Sequence, residues 1–146
     1  MIALKQTSNV VEALLALPFL KNLDTYYPDF SHWYINRVIA EIQNPTNIIL
    51  LAKEDNRVIG VALGKHTPDE SKLRCVRIHN DYKASGLGVR LIDKMLDHLQ
   101  IQKPHCTVSE ELIHQYSRIF VNRYGFELSR VEKGKYRQGK LEYCFN

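Results

Sequence analysis

Between Tyr82 and Arg90 the chain reads YKASGLGVR, with Gly86 and Gly88 just ahead of a run of helical periodicity. Residue types and spacing there suit anion binding. The first N–H groups of a helix have no intrahelical acceptor, and glycine lets a phosphate approach them closely. The same glycines also suit an ordinary tight turn, so the rest of the chain must decide. A Walker loop requires Gly-Lys-Ser/Thr, but Val89 and Arg90 follow Gly88. A dinucleotide fingerprint requires a third glycine where Leu91 stands. Metal chemistry has little to build on: Cys75, Cys106 and Cys144 form no C-x-x-C pair, and the histidines lack partners at ligand spacing. No disulfide framework or metal is expected, and the thiols read as buried cytosolic cysteines.

Periodicity supplies the elements that must position this loop. The segment MIALKQTSNVVEALLALPFL reads as an amphipathic helix, regular near residues 9–17, capped by Ser8 or Asn9, with Asn9 and Glu12 resembling a capping box and Pro18 as its end. Ser31 caps a second helix to about Gln43, along which Ile35, Ile39 and Ile42 repeat. NIILLAK and RVIGVALGKH read as a hairpin through Glu54, Asp55 and Asn56, and KLRCVRI as a third strand. A helix to about Gln100 follows the glycines, then a short strand, His105–Val108. A helical stretch carrying Leu112, Tyr116, Ile119 and Phe120 stops at Gly125, and two strands, Phe126 to about Val131 and Leu141–Phe145, close the chain. The order α-α-β-β-β-α-β-α-β-β predicts an α/β (α+β) single domain over 1–146, its mixed, mostly antiparallel central sheet covered by helices on both faces. The glycine turn then lies after a strand and at a helix start, where α/β sheets hold ligands.

Composition agrees with one globular domain. The chain has 146 residues, 45% hydrophobic and 25% charged, with a net charge of +4, and no stretch approaches a membrane span or a cleavable leader. A cytoplasmic location is expected. Arg130, Lys133, Lys135, Arg137 and Lys140 concentrate the excess charge around Tyr136. Such a segment either faces water as a hairpin tip or contacts nucleic acid.

Lys83-Ala84-Ser85-Gly86-Leu87-Gly88 resembles the R/Q-x-x-G-x-G/A signature of the GNAT superfamily of acetyl-CoA-dependent N-acyltransferases, with Lys in place of Arg or Gln. CVRIHNDYK resembles the strand and turn V-x-P-x-Y-R, with Asn80 at the proline. SRIFVNRYGFE resembles the late A-x-x-F-Y-x-x-x-G-F helix through Phe120, Gly125 and Phe126. The resemblance spans about residues 47–126 and implies transfer of an acetyl group from acetyl-CoA to a primary amine.

On that basis the amides of Ala84, Ser85, Gly86, Leu87, Gly88 and Val89 meet the pyrophosphate, and Lys83 and Arg90 either add phosphate contacts or are surface cations. The pantetheine arm pairs with the strand near Val76 and Ile78, and the N–H of Ile78 polarises the thioester carbonyl. The family's usual tyrosine acid is Val121 here. Tyr124 and Ser117 are the substitutes by helical geometry, whereas Tyr116 is expected to point further away. Glu110 is the candidate base, with Glu111 and His79 beside it, although both glutamates also suit a helix start. The acceptor wall is assigned to Tyr26, Tyr27, His32, Trp33 and Tyr34, with Arg74 and Arg77 able to orient an anionic acceptor. The alternative class is a non-catalytic module binding nucleic acid or protein through the basic hairpin at 130–140. Strand pairing at the C-terminus makes a homodimer an open option.

Overall fold

A computed structural model describes residues 1–146. In chain order the elements are β1 (Ile2–Gln6), α1 (Val10–Leu15), α2 (Leu17–Leu20), a 3-10 turn (Lys21–Thr25) and α3 (Phe30–Trp33), which widens into a π turn over Tyr34–Ile39. Then come β2 (Asn47–Glu54), β3 (Arg57–His66), β4 (Ser71–Ile78), a 3-10 turn (Asn80–Tyr82) and α4 (Leu87–Leu99). The chain ends with β5 (Cys106–Ser109), α5 (Ile113–Ser117) with a π turn over Arg118–Arg123, β6 (Leu128–Lys133) and β7 (Leu141–Phe145).

The expected fold class holds, with corrections at the ends of elements. The N-terminal segment opens as a strand rather than a helix, because Ile2 and Leu4 turn inward while Ala3 and Lys5 face water, a period of two. β1 then pairs antiparallel with β2, a partner more than 40 residues away in Ile2↔Glu54 that no local pattern announces. Asn9 does cap α1, its Oδ1 accepting from Glu12 N at 3.0 Å. The Glu12 carboxylate does not return to Asn9; Thr7 Oγ1 accepts from Asn9 N at 3.1 Å instead. Ser31 caps nothing. Its N–H and hydroxyl are both donated to Asp24, at 2.7 and 2.9 Å, and Asp29 with φ 64° turns the chain into α3. β5 and β6 begin slightly later than expected, at Cys106 and Leu128.

Two sheets result, ordered β1-β2-β3-β4 and β5-β7-β6, antiparallel throughout. β2 is buried on both faces. Ile48, Leu50 and Ala52 enter a core under α4 and the late helix, while Ile49 and Leu51 enter a second core under α1 to α3. α4 presents Leu87, Leu91, Ile92, Met95 and Leu99 to the first core. It comes so close to β3 that a Cβ on Gly64 would collide with Met95 Sδ.

The sheets share one core, but their backbones are hydrogen-bonded to each other only where β4 begins. Leu73 N donates to His105 O at 3.0 Å and His105 N donates to Ser71 O at 3.0 Å, a parallel bridge, after which β4 and β5 part. A bulge lies at the same point. Pairing passes from Leu63↔Cys75 to Gly64↔Leu73 and leaves Arg74 without a partner on β3. The gap between the diverging strands organises everything that follows.

Candidate active site

One end of the gap leads to the glycine loop. His79 Nδ1 accepts from Asp81 N at 3.1 Å, and Tyr82 OH is donated to Glu54 Oε1 at 2.5 Å, so the turn after β4 is fixed at both sides. The chain then folds back on itself. Ser85 N and Oγ both donate to Tyr82 O, and Ser85 Oγ accepts from Leu87 N at 3.3 Å. Ala84 and Gly86 hold positive φ values of 66° and 83°. Left-handed backbone at a residue with a Cβ is strained, and the folded-back turn engages the N–H groups of Ser85 and Leu87 within the loop itself. The amides of Ala84, Gly86, Gly88 and Val89 have no backbone acceptor within the chain. They line a groove of about 290 Å³ whose other walls are Val76 and Ile78 of β4 and Tyr116 and Ile119 of the late helix.

In the gap itself, His79 N donates to Ile59 O at 2.8 Å, and antiparallel alternation then turns the backbone of Arg77 toward β3 and that of Val76 and Ile78 toward the opening. Tyr116 fills part of it by donating its hydroxyl to Val76 O at 3.0 Å. Tyr116 and Arg77 border both the groove and the narrow cleft between the strands, about 60 Å³, which Tyr27 and Phe30 roof. Beyond Arg74 the cleft opens into a cavity of about 570 Å³ on the far side, walled by Trp33 and His32 of α3, Lys72 and His105 of the strands, and Lys135 and Tyr136 of the β6–β7 hairpin. Groove, cleft and cavity follow one another along the gap, the cleft sharing Val76, Arg77 and Tyr116 with the groove and Leu73, Arg74 and Thr107 with the cavity.

A sequence model described as the acetyltransferase (GNAT) family matches residues 10–126. The chain belongs to the GNAT family. Solved structures agree with it over nearly the whole length. A GNAT-family protein from Desulfovibrio desulfuricans has a TM-score of 0.77 at 20% identity, covering 99% of this chain and 97% of that one. Ribosomal-protein-S18-alanine N-acetyltransferase from Escherichia coli gives 0.74 at 14%, with 99% and 92% covered. An aminoglycoside 6'-N-acetyltransferase complexed with coenzyme A gives 0.70 at 14%, with 99% and 94% covered. At such identities the likeness is one of fold. Among curated proteins there is no significant match.

The GNAT frame distributes the expected site residues unevenly. Lys83, Ala84, Gly86, Gly88 and Val89 border the groove, as do Val76, Arg77 and Ile78, whereas Leu87 is buried in the core and Ser85 and Arg90 do not line the groove. Val121, at the position of the family's tyrosine, is exposed. Tyr124 is turned onto α4, its hydroxyl 2.6 Å from Asp93 Oδ1 and 3.2 Å from Val89 O, and it lines neither groove nor cleft. Ser117 Oγ donates to His114 O at 3.3 Å. Tyr116, expected to point away, is the late-helix hydroxyl that enters the gap. Its neighbours in the apolar stripe, Leu112 and Phe120, line the cleft with it, which is the signal that marks its direction. Burial pushes the Tyr116 phenol up to about 12.

The carboxylates are also redistributed. Glu110 Oε1 accepts from Leu141 N at 2.8 Å, tied to the start of β7, and Glu111 pairs with Arg137 at 2.5 Å. Neither lines groove, cleft or cavity. Glu142 on β7, which the sequence did not single out, is 3% exposed and accepts from Tyr27 OH at 2.9 Å. Burial raises its pKa above the usual carboxylate value, and the Tyr27 hydrogen bond opposes the shift. Tyr27, Trp33 and His32 face the far cavity, but Tyr26 does not; Arg137 stacks over its ring at 5.7 Å. The basic hairpin is largely spent internally: Glu132 pairs with Arg130 at 2.6 Å and Lys135 at 3.2 Å, and Tyr136 packs edge-on against Tyr27 at 5.1 Å. No group of three His, Cys, Asp or Glu side chains could hold a metal, and no helix is long and apolar enough to cross a membrane.

Proposed function

We propose that the chain is an acetyl-CoA-dependent N-acetyltransferase that passes the acetyl group directly from the thioester to a primary amine. The observation that carries this reading is the groove that joins the unpaired main-chain amides of Ala84, Gly86, Gly88 and Val89 to an opening between β4 and β5. A diphosphate at the loop and an extended pantetheine arm against Val76 and Ile78 place a thioester in that opening. The relatives support the cofactor and the reaction class: one is complexed with coenzyme A and another acetylates an alanine.

The amine enters from the Trp33 side and its lone pair attacks the carbonyl carbon. The developing oxyanion takes the N–H of Ile78, a preorganised donor worth about 3 kcal/mol. One ammonium proton leaves through the Tyr27 hydroxyl as that group's own proton moves to Glu142, the carboxylate that touches the wall of the cleft. Collapse of the tetrahedral carbon breaks the C–S bond, and Tyr116 supplies a hydrogen bond and then a proton to the departing thiolate. Glu110, Ser117 and Tyr124 of the sequence reading have no such access. The reading is tested by following free thiol with acetyl-CoA and a panel of amines. Sustained release that requires an amine is expected, and release at the same rate without any amine contradicts transfer.

A further inference from the structure

On the acceptor side one cation stands apart from the others. Lys72, Lys135 and Arg37 border the far cavity, and each is matched by a carboxylate: Glu70 at 3.4 Å, Glu132 at 3.2 Å and Glu41 at 3.8 Å. Arg74 has no carboxylate within ion-pair distance and donates no hydrogen bond. Its guanidinium instead lies over the Trp33 ring, 5.2 Å from the centroid, a cation–π contact that holds it at the cavity wall.

The bulge explains how it gets there. Leu73 and Val76 face the α4 core, and Cys75 faces the α1–α3 core. Strict alternation would send Arg74 away from Cys75, but the extra residue in β4 lets both project toward α3. The strand thus gives up a paired position to aim a guanidinium at the cavity. Half-burying that group with its donors unfilled costs free energy, which an apolar or cationic occupant would not recover. Asp29 is the one carboxylate residue on the cavity wall, facing Arg37, Lys72, Arg74, Lys135, His32 and His105. Tyr27, Phe30, Leu73, Arg74, Cys106 and Thr107 border cavity and cleft alike, so a molecule whose amine reaches the gap passes Arg74 with its body.

We propose that this cavity is an anion subsite of the acceptor, and that the acceptor is an amine bearing an oxyanion, carboxylate or phosphate, which Arg74 binds on its Trp33 platform. The amine half of the statement rests on the transferase reading; the anion half rests on the cavity alone. Trp33 is the only tryptophan of the chain, so its emission reports on the cation stacked against it. The test is a titration of that emission, at constant ionic strength, with O-phosphoethanolamine, β-alanine and ethanolamine. A saturable change with the phosphate or the carboxylate compound, and none with ethanolamine, is expected; which of the two anions binds more tightly names the group. Arg74→Gln should weaken that response by about 10- to 100-fold, and Arg74→Lys should restore part of it. Equal responses to ethanolamine and its phosphate ester, no response to any of the three, or an unchanged titration in a folded Arg74→Gln protein overturns the subsite. If Arg74→Gln does not fold, the comparison among the three compounds on the unaltered protein decides alone. Thiol release separates the two readings: anion binding without amine-dependent release removes the transferase and keeps the subsite. Equal kcat/KM for the three amines removes the subsite and keeps the transferase.

Discussion

The groove at the glycine loop and the cavity beside Trp33 meet at the same gap but are built by different means. The groove presents the unpaired main-chain amides of Ala84, Gly86, Gly88 and Val89 from one short segment, with open space where Gly86 and Gly88 lack a Cβ. The cavity presents side chains from α3, β4, β5 and the β6–β7 hairpin, none adjacent in sequence to the next. A backbone site serves a ligand that does not change, whereas a side-chain site can be altered one substitution at a time. The first prediction strikes the backbone side alone. A Cβ at Gly88 meets nothing within 4 Å, and valine is at least as good a helix former as glycine. Gly88→Val should therefore leave thermal stability unchanged or slightly raised. It should weaken CoA binding by more than about 100-fold, the loss of two charge-assisted hydrogen bonds at about 1.5–3 kcal/mol each, measured by calorimetry. The Trp33 titration should be untouched; a change there would mean that the two sides are not independent.

The same contrast explains what could be read from the sequence. The loop is local, so the spacing of Gly86 and Gly88 with Val89 and Arg90 sufficed to exclude other phosphate loops, and the family resemblance came from the loop together with CVRIHNDYK, SRIFVNRYGFE and the order of elements. The first three strands after the N-terminal helices were equally legible, because β2 and β3 are long β-branched runs around a tight turn. β1 was not, since a five-residue strand is decided by its partner and a helix follows three residues later. The Tyr27–Glu142 hydrogen bond spans 115 positions, and the stacking of Arg74 on Trp33 depends on a bulge that leaves no mark on composition. Tyr116 was visible as part of an apolar stripe, but which way that stripe faced depended on where β4 and β5 part.

Two substitutions probe the boundary and the far side. Tyr116→Phe should lower kcat by about 100-fold, the low end of general-acid help, while CoA affinity holds or improves because Val76 O is freed. Tyr124→Phe is the control: it removes the hydroxyl from Asp93 and Val89 O, should cost about 1 kcal/mol of stability, and should leave kcat alone. A smaller effect, about 10-fold in kcat/KM, is expected for Glu142→Gln, since the carboxylate acts through Tyr27. Its stability should move the other way. Burial raises the folded pKa of Glu142 above the unfolded value, so the folded state binds the proton more tightly and loses that advantage as pH rises through the interval between the two. Above it, Gln at 142 accepts the Tyr27 hydrogen bond without a buried charge, and denaturant unfolding at neutral pH should show the variant equal to or more stable than the parent. A variant both less active and less stable would assign Glu142 to packing.

The smallest effect belongs to a residue that touches neither side. Glu12 accepts from Lys5 Nζ at 2.6 Å, Lys53 Nζ at 3.2 Å and Thr7 Oγ1 at 2.9 Å, binding α1 to β1 and β2. Lys5 beside it is the largest influence holding its carboxyl down at about 2, against an ordinary 4.5. The folded value lies below the unfolded one, so the stabilisation is fully present above pH 4.5 and disappears as pH falls toward 2. Because Lys5 is half exposed and screened by solvent, Glu12→Gln should cost only about 1 kcal/mol at pH 7. In urea unfolding the gap between parent and variant should close between pH 4.5 and pH 2. CoA affinity and the Trp33 response should both stay at parental values, because Glu12 sets the angle of a helix without bordering groove, cleft or cavity. If either binding property shifts with Glu12→Gln while the fold is retained, the wall of the cavity is less rigid than two packed cores require, and the independence of the two sides fails at its helical support.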